Sequence, residues 1–293
     1  MHPRPSRPSR GGFWSFLRAP KISPGGAQQA SAGLHPFVPS APTDLERAAE
    51  RSTPAGPCLG TQRWRRLLFA HWSIPAADVQ ARLPPGLFVD TYRGEAYLGL
   101  VPFFMQRVRP RGLPPMPGLS WFLEFNLRTY VFDSQGRPGV WFFSLDCNQP
   151  VAVALARQWF HLPYENAAMN ASVDRETCDF VSRRRAPQAE TDRFTWSTPK
   201  QDSRAAVPGS LEFFLVERYR LFAVRADGTL MTGSVRHAPY RLQTPRLSRW
   251  STSVAARAGF ALQGAPASLL AADPVDVTVH PIEPVVRPPA SLT

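Results

Sequence analysis

The feature that most constrains this chain is its punctuation. From about Thr61 onward, short runs of β-branched and aromatic residues are separated by Pro, Gly or Asp-Gly. Such runs are too short for ordinary helices and suit strands. Strands are expected over 64–72, 88–92, 95–105, 121–132, 140–145, 171–184, 193–197, 211–224, 230–236 and 275–279. Arg93-Gly94 and Asp227-Gly228 are the turn signals between neighbouring runs. One segment has helical length, Pro150–Phe160, with Asn148 as its cap and Pro163 as its stop. A shorter helix is expected after Ser73-Ile74-Pro75, capped by Ser73 and ended by Leu83-Pro84-Pro85-Gly86. Many strands with few helices predict a mostly-β (α+β) fold, a barrel or a strongly curved sheet with one or two short helices.

Residues 1–57 read differently. They are rich in Pro, Arg, Ser, Ala and Gly, their first acid is Asp44, and they hold little that could bury a core. Disorder is expected there. The basic–apolar patch around Phe13, Trp14, Phe16 and Leu17 reads either as a targeting segment or as a dispensable leader. The compact body is expected over 58–284, with 285–293 as a tail. The most apolar run, 97–105, contains Pro102 and is too short to span a bilayer, so no membrane partner is expected.

The formal charge of +12 is almost entirely arginine, since the only lysines are Lys21 and Lys200. The arginines are scattered rather than gathered in a stripe, which argues against nucleic acid. Cys58, Cys147 and Cys178 form no CxxC pair and fit reduced thiols in a cytoplasmic protein. No HxH, HExxH, phosphate-binding loop or dinucleotide fingerprint occurs, so neither metal nor cofactor is expected. Homo-oligomer formation stays open.

Candidate chemistry comes from charge on apolar faces. If 213–221 is a strand, Glu217 shares a face with Phe213, Leu215, Tyr219 and Leu221. A carboxylate so placed needs a partner or a proton. In 121–132 one face carries Phe122, Glu124, Asn126, Arg128 and Tyr130. In the next strand Phe142, Ser144 and Asp146 alternate against Trp141, Phe143 and Leu145. Two such polar rows can face water or, inside a closed ring, line a ligand cavity. His237 falls in phase with Met231 and Val235, and His71 with Leu67 and Phe69; each reads as a structural hydrogen-bonder or a base. Cys147, just before the helix, reads as a packed thiol.

Taken in order, several short segments resemble the uncharacterised YqjF-like family (domain of unknown function 2071). They are Leu83-Pro84-Pro85-Gly86-Leu87, Leu100-Val101-Pro102-Phe103, Glu124-Phe125-Asn126-Leu127-Arg128-Thr129-Tyr130-Val131, Gly139-Val140-Trp141-Phe142-Phe143-Ser144-Leu145-Asp146, Phe214-Leu215-Val216-Glu217-Arg218-Tyr219 and His237-Ala238-Pro239-Tyr240. That family is similar to the acetoacetate decarboxylase-like superfamily, which implies a β-barrel or cone around a polar cavity lined by Glu124, Arg128 and Glu217. The resemblance departs from the superfamily's Schiff-base chemistry, because the expected strands carry Arg, which stays protonated, in place of a lysine nucleophile. A small anionic carboxylate or keto compound is therefore the expected ligand. Glu217 and Glu124 are the expected proton carriers, and Arg128, Asn126, Ser144, Asp146 and His237 the expected ligand-binding residues. A lysine-independent lyase, isomerase or hydrolase, a non-catalytic binding protein, and a structural protein without a ligand all remain open.

Overall fold

The computed structural model describes residues 39–52, 56–199 and 202–286. Lys21, Lys200 and the aromatic patch around Phe13 lie outside the described residues. In chain order the elements begin with helix α1 (Asp44–Ala49), strands β1 (Gly60–Arg65) and β2 (Leu67–Ile74), and helix α2 (Ala76–Gln80). Then come β3 (Leu87–Val89), β4 (Ala96–Pro110), β5 (Phe122–Asp133), β6 (Pro138–Cys147) and α3 (Pro150–Phe160). They continue with β7 (Tyr164–Asp174), β8 (Thr177–Arg184), β9 (Thr191–Ser197), β10 (Arg204–Ala205), α4 (Leu211–Val216), β11 (Arg220–Val224) and β12 (Leu230–Arg236). The last are β13 (Arg241–Gln243), β14 (Arg246–Ser251), α5 (Val254–Arg257), β15 (Ser268–Ala272), β16 (Val275–Val279) and β17 (Glu283–Pro284).

The fold is mostly β, as the punctuation predicts. Hydrogen-bonded neighbours run β1–β4–β5–β6–β11–β12–β16 and return to β1, so these strands form a ring. β2 extends the ring along β4 and carries β15, β13 and β10 beyond it. A second sheet, β7–β8–β9–β14, covers the outer face. There Phe180, Phe194 and Trp196 pack with Leu98, Leu100, Phe125 and Leu127. The inner face holds a second apolar cluster that includes Phe69, Val101, Phe103, Tyr130 and Phe214. Two-faced burial explains why β4 reads as a near-continuous apolar run. Among the described residues no helix is long and apolar enough to cross a membrane.

Several expectations are corrected, each for a local reason. The run 64–72 is two strands, because Arg66 adopts a left-handed φ of 52° and breaks it. The run 171–184 is the hairpin β7–β8 rather than one strand. Ser73 stays in β2 and donates to Glu95 Oε2, leaving Pro75 to begin α2 without a side-chain cap. Asn148 accepts from the Leu123 N–H, and Gln149 caps α3 instead. The run 211–224 is a helix followed by a strand. Ser210 Oγ accepts the Phe213 N–H, and Glu217 ends α4 as its C-cap, so the strand-face argument for Glu217 does not hold. Phe213 to Val216 are all buried, and a short all-apolar run reads alike as helix or strand.

The expected disorder up to residue 57 is also too broad. Thr43 and Glu46 form a reciprocal capping box that starts α1. The helix is held by charge: Arg47 pairs with Asp90, Glu50 with Arg220 and Arg51 with Glu217.

The pairing of β5 with β6 differs from expectation in a way that bears on function. β5 pairs with β6 through Leu127↔Ser144 and then Arg128↔Phe142, so Phe143 is an extra, bulged residue on β6. Directly opposed residues share a face. Ser144 and Asp146 therefore stand with Leu127 and Phe125 on the outer face, while Arg128 stands with Phe142 on the inner one. The two polar rows point in opposite directions.

Candidate functional site

The inner face of β5 carries Glu124, Asn126, Arg128 and Tyr130, all directed into the ring. Beside Arg128 on β4 is Gly99, and beside Gly99 on β2 is His71, so the three sit in one row across the sheet. The missing side chain matters. A Cβ on Gly99 would meet His71 Cδ2 at 3.1 Å, His71 Nε2 at 3.2 Å and the Tyr130 hydroxyl at 3.3 Å. Glycine thus lets the imidazole lie across the strand and reach Tyr130, with Nε2 and the hydroxyl 2.6 Å apart. Gly99→Ala is expected to force these groups apart and cost about 1–2 kcal/mol. Urea unfolding measures this; an unchanged or raised midpoint would mean that His71 has room to move.

Arg128 Nη2 donates to the Leu215 carbonyl at 3.2 Å and to the Tyr130 hydroxyl at 3.4 Å. Tyr130 accepts from Arg128, so its own proton can go to His71 Nε2; in that tautomer the imidazole hydrogen sits on Nδ1. Burial, then the Arg128 charge, holds His71 well below the usual histidine range, so it is neutral. The guanidinium lies 5.2 Å from the Phe69 ring centre and 5.6 Å from that of Tyr130. Among the described residues it has no carboxylate partner.

His237 follows β12 in phase with Val235. Its Nδ1 is 2.8 Å from the Ala238 carbonyl, which can only accept, so Nδ1 carries the proton and Nε2 the lone pair. Burial, reinforced by Arg128, Arg236 and Arg51, pushes it down to about 4, against a stabilising bond to Ala238. The ring is packed by Tyr219, Tyr240 and Trp64 at centroid distances of 4.7, 4.4 and 5.7 Å. Glu217 orders this packing. Its Oε1 accepts the Tyr240 N–H at 3.1 Å, and its Oε2 accepts the Tyr219 hydroxyl and faces Arg51 at 3.3 Å. With both oxygens engaged, Glu217 positions the two tyrosines.

Five buried polar atoms around Arg128 and His237 have no partner among the described residues: Arg128 Nε, Arg51 Nε, His71 Nδ1, His237 Nε2 and Trp64 Nε1. Buried polar groups are ordinarily satisfied, so their concentration here is a signal. Arg128, His237, Trp64, Phe142 and Leu221 are half-buried although they face inward. Two surface clefts lie elsewhere, about 350 Å³ beside Arg183 to Arg185 and about 380 Å³ beside Arg65, Arg66 and Asp273.

Further along β5, Glu124 Oε2 accepts the Tyr164 hydroxyl at 2.6 Å, and burial pushes its carboxyl up to about 7. Ser144 and Asp146 belong to a different group on the outer face. Asp146 Oδ1 accepts from Arg184 Nε at 3.1 Å, and Arg184 also reaches Ser144, pinning the second sheet to the ring. Cys147 is packed, with its thiol pushed up to about 12 by burial. Of the residues expected from the sequence, Arg128, Asn126 and Glu124 stand on the inner face of β5 and His237 follows β12, while Tyr219, Tyr240, Trp64 and Arg51 join this group without having been expected there. Gly99 beside a run of large apolar residues was the available signal for a close contact.

Comparison with known proteins agrees with this architecture. Residues 61–276 match the DUF2071 family, described as an uncharacterized conserved protein. An uncharacterized protein of Bacillus subtilis strain 168, YqjF, is 38% identical over 192 residues, 66% of this chain and 78% of its own. Acetoacetate decarboxylase of Legionella pneumophila is similar in structure, with a TM-score of 0.57 at 15% identity over 85% of this chain and 98% of its own. The enduracididine biosynthesis enzyme MppR, solved with pyruvate, gives 0.54 at 11% identity over 80% of this chain and 93% of its own. At these identities the structural likeness speaks for the fold.

Proposed function

The chain belongs to the DUF2071 family, and on that footing we propose that it binds a small carboxylate, a keto acid in particular, on Arg128, with neutral His237 moving a proton on the bound molecule. The observation that carries this reading is Arg128 itself: an inward cation without a carboxylate partner among the described residues, beside polar atoms that lack partners. A carboxylate accepts the guanidinium fork in a charge-assisted pair. The likeness to a fold solved with pyruvate in MppR supports the same chemical class.

Three roles are assigned in this reading. Arg128 holds the carboxylate. His71 Nδ1–H is a donor for a neighbouring carbonyl oxygen, and His237 Nε2 is the base for a proton on the adjacent carbon. A bound anion offsets the Arg128 charge that helps hold His237 low, so the base strengthens as the ligand arrives. A lysine Schiff base plays no part in this scheme, since the only lysines are Lys21 and Lys200 and the ring presents arginine.

Titration calorimetry of the full chain with pyruvate, 2-oxobutyrate and acetoacetate tests binding. Proton–deuterium exchange beside the carbonyl, followed by NMR in D₂O, tests chemistry. Arg128→Leu is expected to weaken binding about 100-fold. His237→Gln is expected to slow exchange while leaving affinity nearly unchanged. Binding without exchange in the wild type would leave a non-catalytic binding protein. No binding of any acid by the folded chain would overturn the reading.

A further inference from the structure

The inner face of β5 does not end at Arg128. Asn126 is 4% exposed, its Oδ1 has no partner, and its Nδ2 reaches Glu124 Oε1 only at 3.5 Å. A buried, unpaired amide oxygen costs free energy unless a ligand supplies its hydrogen. Val101 on β4 and Leu145 on β6 lie directly opposite Asn126, so apolar walls flank the strip between Arg128 and Glu124. The two ends differ in kind. At one stands a guanidinium. At the other stand an amide oxygen and a carboxyl whose donor partner is Tyr164, and among the described residues no arginine pairs with that carboxyl. At ~3.3 Å per residue, Asn126 and Glu124 lie about 7 and 13 Å along the strand from Arg128.

Resting on the reading above, we propose that the ligand held by Arg128 runs along β5 and ends in a hydrogen-bond donor, an amide N–H or a hydroxyl, received by Asn126 Oδ1 and the Glu124 carboxyl. The substrate class is then a short carboxylate with a neutral donor at its far end, its middle against Val101 and Leu145. A simple alkyl or keto acid would leave Asn126 unsatisfied and so bind more weakly than a counterpart that carries the donor.

The test uses matched pairs that differ only in an amide NH₂ against a methyl group, at three lengths. They are succinamate with levulinate, glutaramate with 5-oxohexanoate, and adipamate with 6-oxoheptanoate. Affinities are measured by calorimetry on the full chain. At the best-fitting length the amide is expected to bind about 10-fold tighter than its methyl ketone, the contribution of one net hydrogen bond to a buried acceptor. Asn126→Leu is expected to bring the ratio near one, whereas Arg128→Leu weakens both members alike. Equal affinity within every pair, with both lost in Arg128→Leu, would overturn this inference and leave the carboxylate reading standing. No binding at any length would overturn both. The wild-type ratio decides even if Asn126→Leu fails to fold.

Discussion

Asp90→Asn is expected to destabilise the chain by about 3–5 kcal/mol, the cost of stranding buried charge. Asp90 is fully buried at the end of β3 and accepts from two arginines. Arg218 Nη1 approaches it at 2.8 Å, and Arg47 at 2.6 and 3.2 Å. The Arg218 side chain is 1% exposed and the Arg47 side chain 8%. An amide offers one acceptor where the carboxylate offers two and leaves both cations without their counter-charge. For a domain of this size each kcal/mol moves the thermal midpoint by roughly 2–4 °C, so the expected fall is about 6–20 °C. Arg47→Met should cost clearly less, because Asp90 then keeps Arg218. Thermal unfolding of the two variants decides: a fall under about 3 °C for Asp90→Asn, or equal falls for both, would show that the arginines are held by other contacts. The loss should also reach the site. The Arg218 guanidinium lies 4.5 Å from the Phe214 ring centre and 5.2 Å from that of Tyr130, the residue that orients His71.

This ion cluster marks where sequence reading stops. The β5 alternation was legible because one strand dictates which of its own residues share a face, and Glu124, Asn126, Arg128 and Tyr130 do so. α3 and β12 were legible to the residue for similarly local reasons, a Pro-opened helix and an Asp-Gly turn. The failures that moved site residues came from contacts between distant segments or from runs that fit two periods. A bulge at Phe143 depends on how two strands meet, and it moved Ser144 and Asp146 to the outer face. The short apolar run from Phe213 to Val216 is compatible with either period, so its helical state came from packing and from the Ser210 cap. Arg47–Asp90 and Arg51–Glu217 join residues far apart in the chain, and nothing in an Arg-rich leader distinguishes those two arginines from their neighbours. A Thr-x-x-Glu capping box at Thr43 was the one readable clue that the leader orders before residue 57.

Glu124→Gln is expected to remove the alkaline limb of the stability profile. Burial raises Glu124 from 4.5 to about 7, so the folded chain holds a proton that the unfolded chain releases. Its contribution is present below pH 4.5 and is lost as pH rises through 7; above that, keeping this carboxylate buried costs about 3 kcal/mol. Glutamine keeps a carbonyl to accept the Tyr164 hydroxyl and does not ionise. Variant and wild type should therefore match near pH 5, and the variant should be more stable by about 2–3 kcal/mol at pH 8.5, measured by urea unfolding. His237 acts in the opposite sense. Its folded value near 4 lies below the ordinary 6.5, so its contribution is present above 6.5 and lost as pH falls toward 4, equally in both proteins. Parallel profiles across the whole range would mean that Glu124 ionises freely and that the far end of β5 is wetter than its burial implies. If the limb is lost as expected, a ligand whose donor meets Glu124 should favour the ionised carboxylate and shrink the wild-type alkaline loss, whereas the Glu124→Gln variant has no such loss to shrink.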